Sequence, residues 1–284
     1  MRDENPEVSI LGDLYPPLPS FVRRGPRYGS LPRPDTDANS ILGPLDTPLR
    51  AENGGFDVAV CTPEETELIS EGIKLSRMAA RTALQDVPKG RFSKYGFWTL
   101  FKTQANVVKV QQILQNLATM PPMPHLWRGA ADQTTSPVFI CLSEDSKEEA
   151  LKASLQRCKA LRESAFLFRN TAFIMLCPAY FRYPLAPRRP EKLRQYCPTL
   201  QHNRYFGEHR KFIKFQFQVL LHELVHFYLG PEDIHNAVAP EGVGETYELN
   251  EIVAQRAAHA RLTPNAYSYY VACKLDAGLY PWLT

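Results

Sequence analysis

The sequence predicts an α+β fold, mainly α, with a small β-sheet or hairpin. Three observations carry the prediction. Stretches at 62–84 and 97–118 repeat apolar residues close to the helical period. Short runs rich in β-branched and aromatic residues crowd into 137–177. A further helical run near 219–228 is apolar, but two histidines and a glutamate interrupt it.

Residues 1–54 hold nine of the 24 prolines, with Tyr15-Pro16-Pro17-Leu18-Pro19 as a polyproline-like segment. They read as an extended or disordered arm; a propeptide or a partner-docking tail is the alternative. Residues 55–284 read as one domain, long enough to bury a sizeable core. Its first helix opens at Thr62-Pro63-Glu64-Glu65. Thr62 suits the N-cap, Pro63 the first helical position, and Glu65 completes a capping box. Leu68, Ile69, Ile73, Ala80, Ala83 and Leu84 form much of its apolar face. A second helix is expected from Phe97 to Ala118, stopped by Pro121-Pro122.

Strands are expected at 137–142, 165–168 and 172–177, the last two joined at Arg169-Asn170-Thr171. Between the first two, Ser146 to Arg162 reads as an amphipathic helix. Residues 182–207, rich in Pro, Arg and Tyr, read as a long loop. A last helix is expected from about Thr246 to Arg261.

Composition sets bounds. Hydrophobic content of 44% and charged content of 22% are ordinary for a globular chain. A net charge of +3, with scattered Lys and Arg, makes no electrostatic case for nucleic acid. No stretch approaches the ~18 apolar residues of a membrane span. Met1 to Pro6 lacks the apolar centre of a signal peptide, so the expectation is either an intracellular protein or a processed form. Six cysteines (Cys61, Cys141, Cys158, Cys177, Cys197, Cys273) allow up to three disulfides, and none forms a CxxC pair.

The helical run at 219–228 carries the chemistry. It contains His222-Glu223-Leu224-Val225-His226, a His-Glu-x-x-His pattern. Residues four apart share one helix face, so His222 and His226 both reach one metal ion, expected to be Zn2+. Glu223 stands beside that face as a general base. Gly230-Pro231 then stops the helix. The bland alternative is a buried helix with two hydrogen-bonded core histidines.

A catalytic zinc keeps three protein ligands and one open position. His235 follows His226 by nine residues, while Leu229 and Glu232 occupy positions where a metzincin has Gly and His, so that pattern is absent. Downstream, Glu245, Glu248 and Glu251 offer carboxylates three residues apart at the start of the last helix. Any of them satisfies the ligand chemistry; each taken singly also reads as a solvated helix face or an N-terminal carboxylate favoured by the helix dipole.

Over most of residues 55–275 the chain resembles the deuterolysin-type (aspzincin) zinc metallopeptidases. Cys61 opening a helix with Ala79, Ala80 and Ala83 resembles that family's start. Phe97-Trp98-Thr99-Leu100-Phe101-Lys102-Thr103 is similar to its aromatic-Phe-Lys-Thr segment. Phe139-Ile140-Cys141 and Ile174-Met175-Leu176-Cys177-Pro178 are similar to its cysteine-bearing strands, and Asn265-Ala266-Tyr267-Ser268-Tyr269-Tyr270 to its closing Asn-Ala-x-x-Tyr segment. The family's third ligand is an Asp in Gly-Thr-x-x-Asp-x-x-Tyr-Gly. Anchored on Tyr247, that position falls on Gly244, with Glu245 one residue later and Glu248 in place of the final Gly. Glu245 is therefore the expected ligand, its longer side chain reaching from the adjacent position. The charged helix at 146–162 departs from the family as an insertion.

The resemblance implies a zincin-like metallopeptidase domain acting as a zinc-dependent endopeptidase. His222, His226 and Glu245 would hold the ion, Glu223 would act as the base, and Tyr247 would assist at the oxyanion. It also implies a protein or peptide substrate, and secretion with paired cysteines. No nucleic-acid or membrane partner is expected, and a monomer is favoured. Two rivals follow from the same residues: a catalytically inactive zincin-fold binding or effector protein, and a closed structural zinc site with a fourth ligand.

Overall fold

A computed structural model describes residues 49–50, 55–87, 97–124, 134–168, 171–186, 215–230 and 249–274. Leu49–Arg50 (β1), inside the stretch read as an arm, pairs antiparallel with Asp57–Ala59 (β2). The rest of 1–54 lies outside the described residues. Met123–Pro124 (β3) and Thr134–Thr135 (β4) make a separate antiparallel pair. Val138–Cys141 (β5) lies parallel to β2, and Phe173–Leu176 (β7) lies parallel to β5. Ala165–Leu167 (β6) closes the sheet as an antiparallel edge strand on β7, giving the order β1-β2-β5-β7-β6.

A small sheet was expected, and its central strand β5 falls within the run read at 137–142, but β2 was not legible. β2 is three residues long, begins with Asp57, and is placed by pairing on both sides rather than by its own propensity. It ends at Val60, whose φ of 60° is unusual for a β-branched residue and turns the chain toward the first helix.

Strand alternation sends side chains to two cores. Phe139, Cys141, Ile174 and Leu176 enter the main core, while Ile140, Leu142, Met175 and Cys177 enter a smaller one on the opposite face. Leu151, Leu155 and Cys158 of the helix Glu149–Leu161 cover the smaller core. The Cys158–Cys177 disulfide fastens that helix to the end of β7.

The main core is helical. Helix α1 spans Pro63–Asp86, and its N-terminus has both halves of the expected capping box. The Glu65 N–H donates to Thr62 Oγ1 at 3.2 Å, and the Thr62 N–H donates to Glu65 Oε2 at 2.9 Å. The single helix expected over 97–118 is broken. It forms α2 (Phe97–Phe101), a 3-10 turn at Gln104–Asn106, and α3 (Val107–Thr119). The break has a local cause: Lys102 takes φ of 68°, and Thr103 turns extended so that its Oγ1 accepts from the Ala105 N–H at 2.9 Å.

The charged helix Glu149–Leu161 is α4, and α5 spans Gln216–Leu229, three residues ahead of the run read at 219–228 and directly after the extended Phe215. α5 ends at Gly230, whose φ is 53°. The expected last helix is also broken, into α6 (Leu249–Ala254) and α7 (Ala257–Ala260), with Arg256 extended between them. A further helix, α8 (Pro264–Ala272), follows with Pro264 in its first turn.

Helix α5 is the centre of the domain. All of its residues except Val219 are buried, and it packs against α1, α3, α8 and β6. Burial on all sides is why its sequence is apolar around the whole circumference instead of along one stripe. Where α1 crosses α5, small residues permit close approach. Ser76 Oγ donates to the Phe217 carbonyl at 2.9 Å, and a Cβ added at Gly72 would stand 2.6 Å from Leu220 Cδ1.

Gly72→Val is expected to destabilise the domain by roughly 1–3 kcal/mol through overpacking, although valine is a better helix former than glycine. A lower denaturant midpoint at unchanged slope is the expected reading. A higher midpoint would mean that the crossing has room to spare.

Candidate metal centre

The His-Glu-x-x-His residues lie on α5 at the junction with β6 and α8. One helical turn brings His222 Nε2 and His226 Nε2 to 3.0 Å, with their rings edge to face at 4.7 Å between centroids. His222, Glu223 and His226 are 9%, 5% and 8% exposed, so none is a solvated helix face.

Glu223 bridges the helix and the sheet. Its Oε2 accepts the Leu167 backbone N–H of β6 at 2.7 Å, while Oε1 lies 4.0 Å from His222 Nε2. One carboxylate oxygen is thus held by the sheet edge and the other is turned toward the histidine pair. A buried carboxylate carries a desolvation cost of several kcal/mol, which a charge-assisted N–H bond offsets only in part. That cost is unnecessary in a helix whose task is packing.

On the other side of His222, Nδ1 meets Asn265 Oδ1 at 2.9 Å. Asn265 sits in the first turn of α8, itself held by an aromatic cluster. Tyr267 and Tyr270 pack on Phe101, and Tyr270 also on Phe97. The Tyr267 hydroxyl donates to the Arg261 carbonyl at 2.7 Å. The aromatic segment at 97–103 therefore reaches the centre indirectly, by supporting α8.

The same segment supports the break between α6 and α7. The Lys102 ammonium donates to the Thr99 and Val253 carbonyls, and Asn106 Nδ2 donates to the Phe101 and Ala257 carbonyls at 2.6 and 2.7 Å. Burial lowers the Lys102 pKa from its ordinary value. Two backbone carbonyls at helix ends are suitable partners for a cation in that setting.

The donor set suits zinc. Two imidazole nitrogens on one tetrahedral zinc at bond lengths of about 2.0–2.1 Å lie about 3.3–3.4 Å apart. The observed separation of 3.0 Å is within about half an ångström of that. Glu251, the expected alternative carboxylate on α6, is exposed. Glu245, Glu248, Tyr247 and His235 lie outside the described residues.

A second group, Cys61, Glu65 and Cys141, also brings three ligand atoms within 4.8 Å of one another. It is not a metal site in this state, because Cys61 and Cys141 are joined as a disulfide and Glu65 is engaged in the α1 cap. Cys273 is disulfide-bonded too, so none of the described cysteines is free. Among the described residues, no helix is long and apolar enough to cross a membrane.

The role of Asn265 was not readable from spacing. It lies 43 residues from His222, a separation that no helical or strand period links.

No family model matches this chain, and no curated protein matches it. Among solved structures, the zinc peptidase from Grifola frondosa is similar, with a TM-score of 0.43 and 10% identity over 75% of this chain and 96% of that one. A likeness this loose aligns no individual residues, and the functional reading rests on the side-chain geometry.

Proposed function

We propose that this chain is a zinc-dependent endopeptidase of the deuterolysin-like kind. The observation that carries the reading is the arrangement on α5. Two histidine Nε2 atoms converge to 3.0 Å in a buried site, with a buried carboxylate between them in sequence and beside them in space. A core helix has no use for three such groups on one side.

His222, His226 and Glu245 would hold the ion. Glu245 is favoured over Glu251 because Glu251 is exposed, whereas both histidines are buried. When bound, zinc supplies Lewis acidity: it polarises a carbonyl and makes water nucleophilic near neutral pH. The chain does the rest. Glu223, anchored through Oε2, takes a proton from the attacking water on Oε1 and delivers it to the leaving amine as the C–N bond breaks. Tyr247 would donate a hydrogen bond to the developing oxyanion. The edge strand β6 joins this site to the sheet through the Leu167 N–H.

The substrate would be a protein or peptide, and the protein would work outside the cell. Oxidised cysteines at Cys61, Cys141, Cys158, Cys177 and Cys273 support an oxidising compartment.

The test is digestion of a reduced, unfolded protein by the zinc-loaded chain, with and without a chelator. Cleavage that stops on chelation and returns with zinc is expected. No cleavage by a zinc-loaded chain would favour the inactive binding protein instead. For ligand assignment, Glu245→Ala is expected to weaken zinc binding and Glu251→Ala to leave it unchanged. The reverse pair of results would move the ligand to Glu251.

A further inference from the structure

We propose that Asn265 is a positioning residue, locking His222 in the tautomer and orientation that present its Nε2 lone pair to the metal. The inference rests on the zinc-site reading of His222 and His226, and adds to it a residue from a separate helix.

The argument begins with hydrogen-bond capacity. A neutral imidazole has one N–H and one lone pair, and which nitrogen carries the proton is set by the partner of the other. Asn265 Oδ1 only accepts, and it lies 2.9 Å from His222 Nδ1. Nδ1 is therefore the donor, and the lone pair resides on Nε2. That is the atom 3.0 Å from His226 Nε2, facing the point where the two histidines converge. Without this acceptor, the Nε2–H tautomer becomes accessible, and it has no lone pair at the metal position.

Asn265 is suited to this because it cannot easily move. It is buried, and it stands in the first turn of α8, where the Ala266 N–H donates to the Thr263 carbonyl at 3.0 Å. Thr263 Oγ1 donates to Gln255 Oε1 at 2.7 Å, which ties that turn to the end of α6. The Tyr267 contacts with Phe101 and the Arg261 carbonyl hold the helix from its other side. The amide thus comes from a rigid element, and the ring it orients comes from another.

An amide also differs from a carboxylate in this role. Glu223 and a ligand carboxylate already bring negative charge to the site. A neutral acceptor fixes the imidazole without adding a third anion. Partners of metal-bound histidines ordinarily contribute 10- to 100-fold in metal affinity.

The test uses the full chain, measuring Zn2+ affinity by competition with a chromophoric chelator. It also measures the His222 tautomer in metal-free protein from long-range 1H–15N NMR correlations. The wild type is expected to show His222 protonated at Nδ1. Asn265→Leu is expected to lose that tautomer preference and to bind zinc about 10- to 100-fold more weakly. Asn265→Asp, which retains an acceptor, is expected to keep both.

A purely structural role would move stability without moving the tautomer. Unchanged zinc affinity and tautomer in a folded Asn265→Leu protein would overturn the inference, as would an Nε2–H tautomer in the wild type, which needs no variant to fold. His222→Ala separates the two levels of argument. If it too leaves zinc binding unchanged, the metal-site reading fails and the inference fails with it. If it abolishes binding while Asn265→Leu does not, only the inference fails.

Discussion

Glu223→Gln is expected to leave zinc bound and to reduce hydrolysis of an unfolded protein by roughly a hundred- to ten-thousand-fold, the span of general acid–base contributions. Glutamine is the informative replacement because it preserves shape and most of the contacts. Its amide oxygen still accepts the Leu167 N–H, so the tie between α5 and β6 at 2.7 Å in the native protein survives. What disappears is the capacity to accept a proton at the oxygen turned toward the histidines. The loss should therefore fall on kcat more than on KM, with unfolding behaviour close to that of the wild type. Zinc content and turnover measured on the same preparation decide the matter. Turnover within a few-fold of the wild type would remove Glu223 as the base. A chain that binds zinc and never cleaves, with or without the substitution, would fit the binding-protein alternative.

The parts of this molecule that were legible in its sequence are those determined locally. The start of α1 is an example: Thr62, Pro63 and Glu65 specify a cap whose every bond lies within four residues. The histidine pair is another, because one helical turn suffices to bring His222 beside His226. Breaks in helices were not legible, since apolar periodicity runs straight through them. Lys102 turns left-handed where its ammonium reaches carbonyls on two segments, one of them 151 residues away. Arg256 interrupts the last expected helix in the region where Asn106 reaches the Ala257 carbonyl. Tertiary hydrogen bonds accompany both breaks, and propensity has no access to them. β2 and Asn265 escaped for the same reason: the first is specified by its neighbours in the sheet and the second by a contact 43 residues distant.

The Cys61–Cys141 bridge is expected to be the larger of the two disulfide contributions to stability whose partners are both described. It joins the end of β5 to the residue before the α1 cap across a separation of 80 residues, whereas Cys158–Cys177 spans 19. In the chain-entropy account, closing those loops lowers the unfolded state's entropy by amounts worth about 4.5 and about 3.3 kcal/mol, respectively, at 25 °C. Against a total domain stability of about 5–15 kcal/mol, losing the first leaves little margin. Cys61→Ser with Cys141→Ser should therefore lower the guanidinium midpoint further than Cys158→Ser with Cys177→Ser. Packing offers the opposing expectation. Cys158 is one of the few residues by which α4 covers the smaller core, so its loss could loosen that helix as a unit. If the 158–177 pair proved the more costly, native contacts of α4 rather than unfolded-chain entropy would govern the difference. Zinc affinity would then help to locate the damage. β5 and α1 border the core in which α5 is buried, while α4 covers the opposite face of the sheet, so only the 61–141 pair is expected to disturb the histidine site.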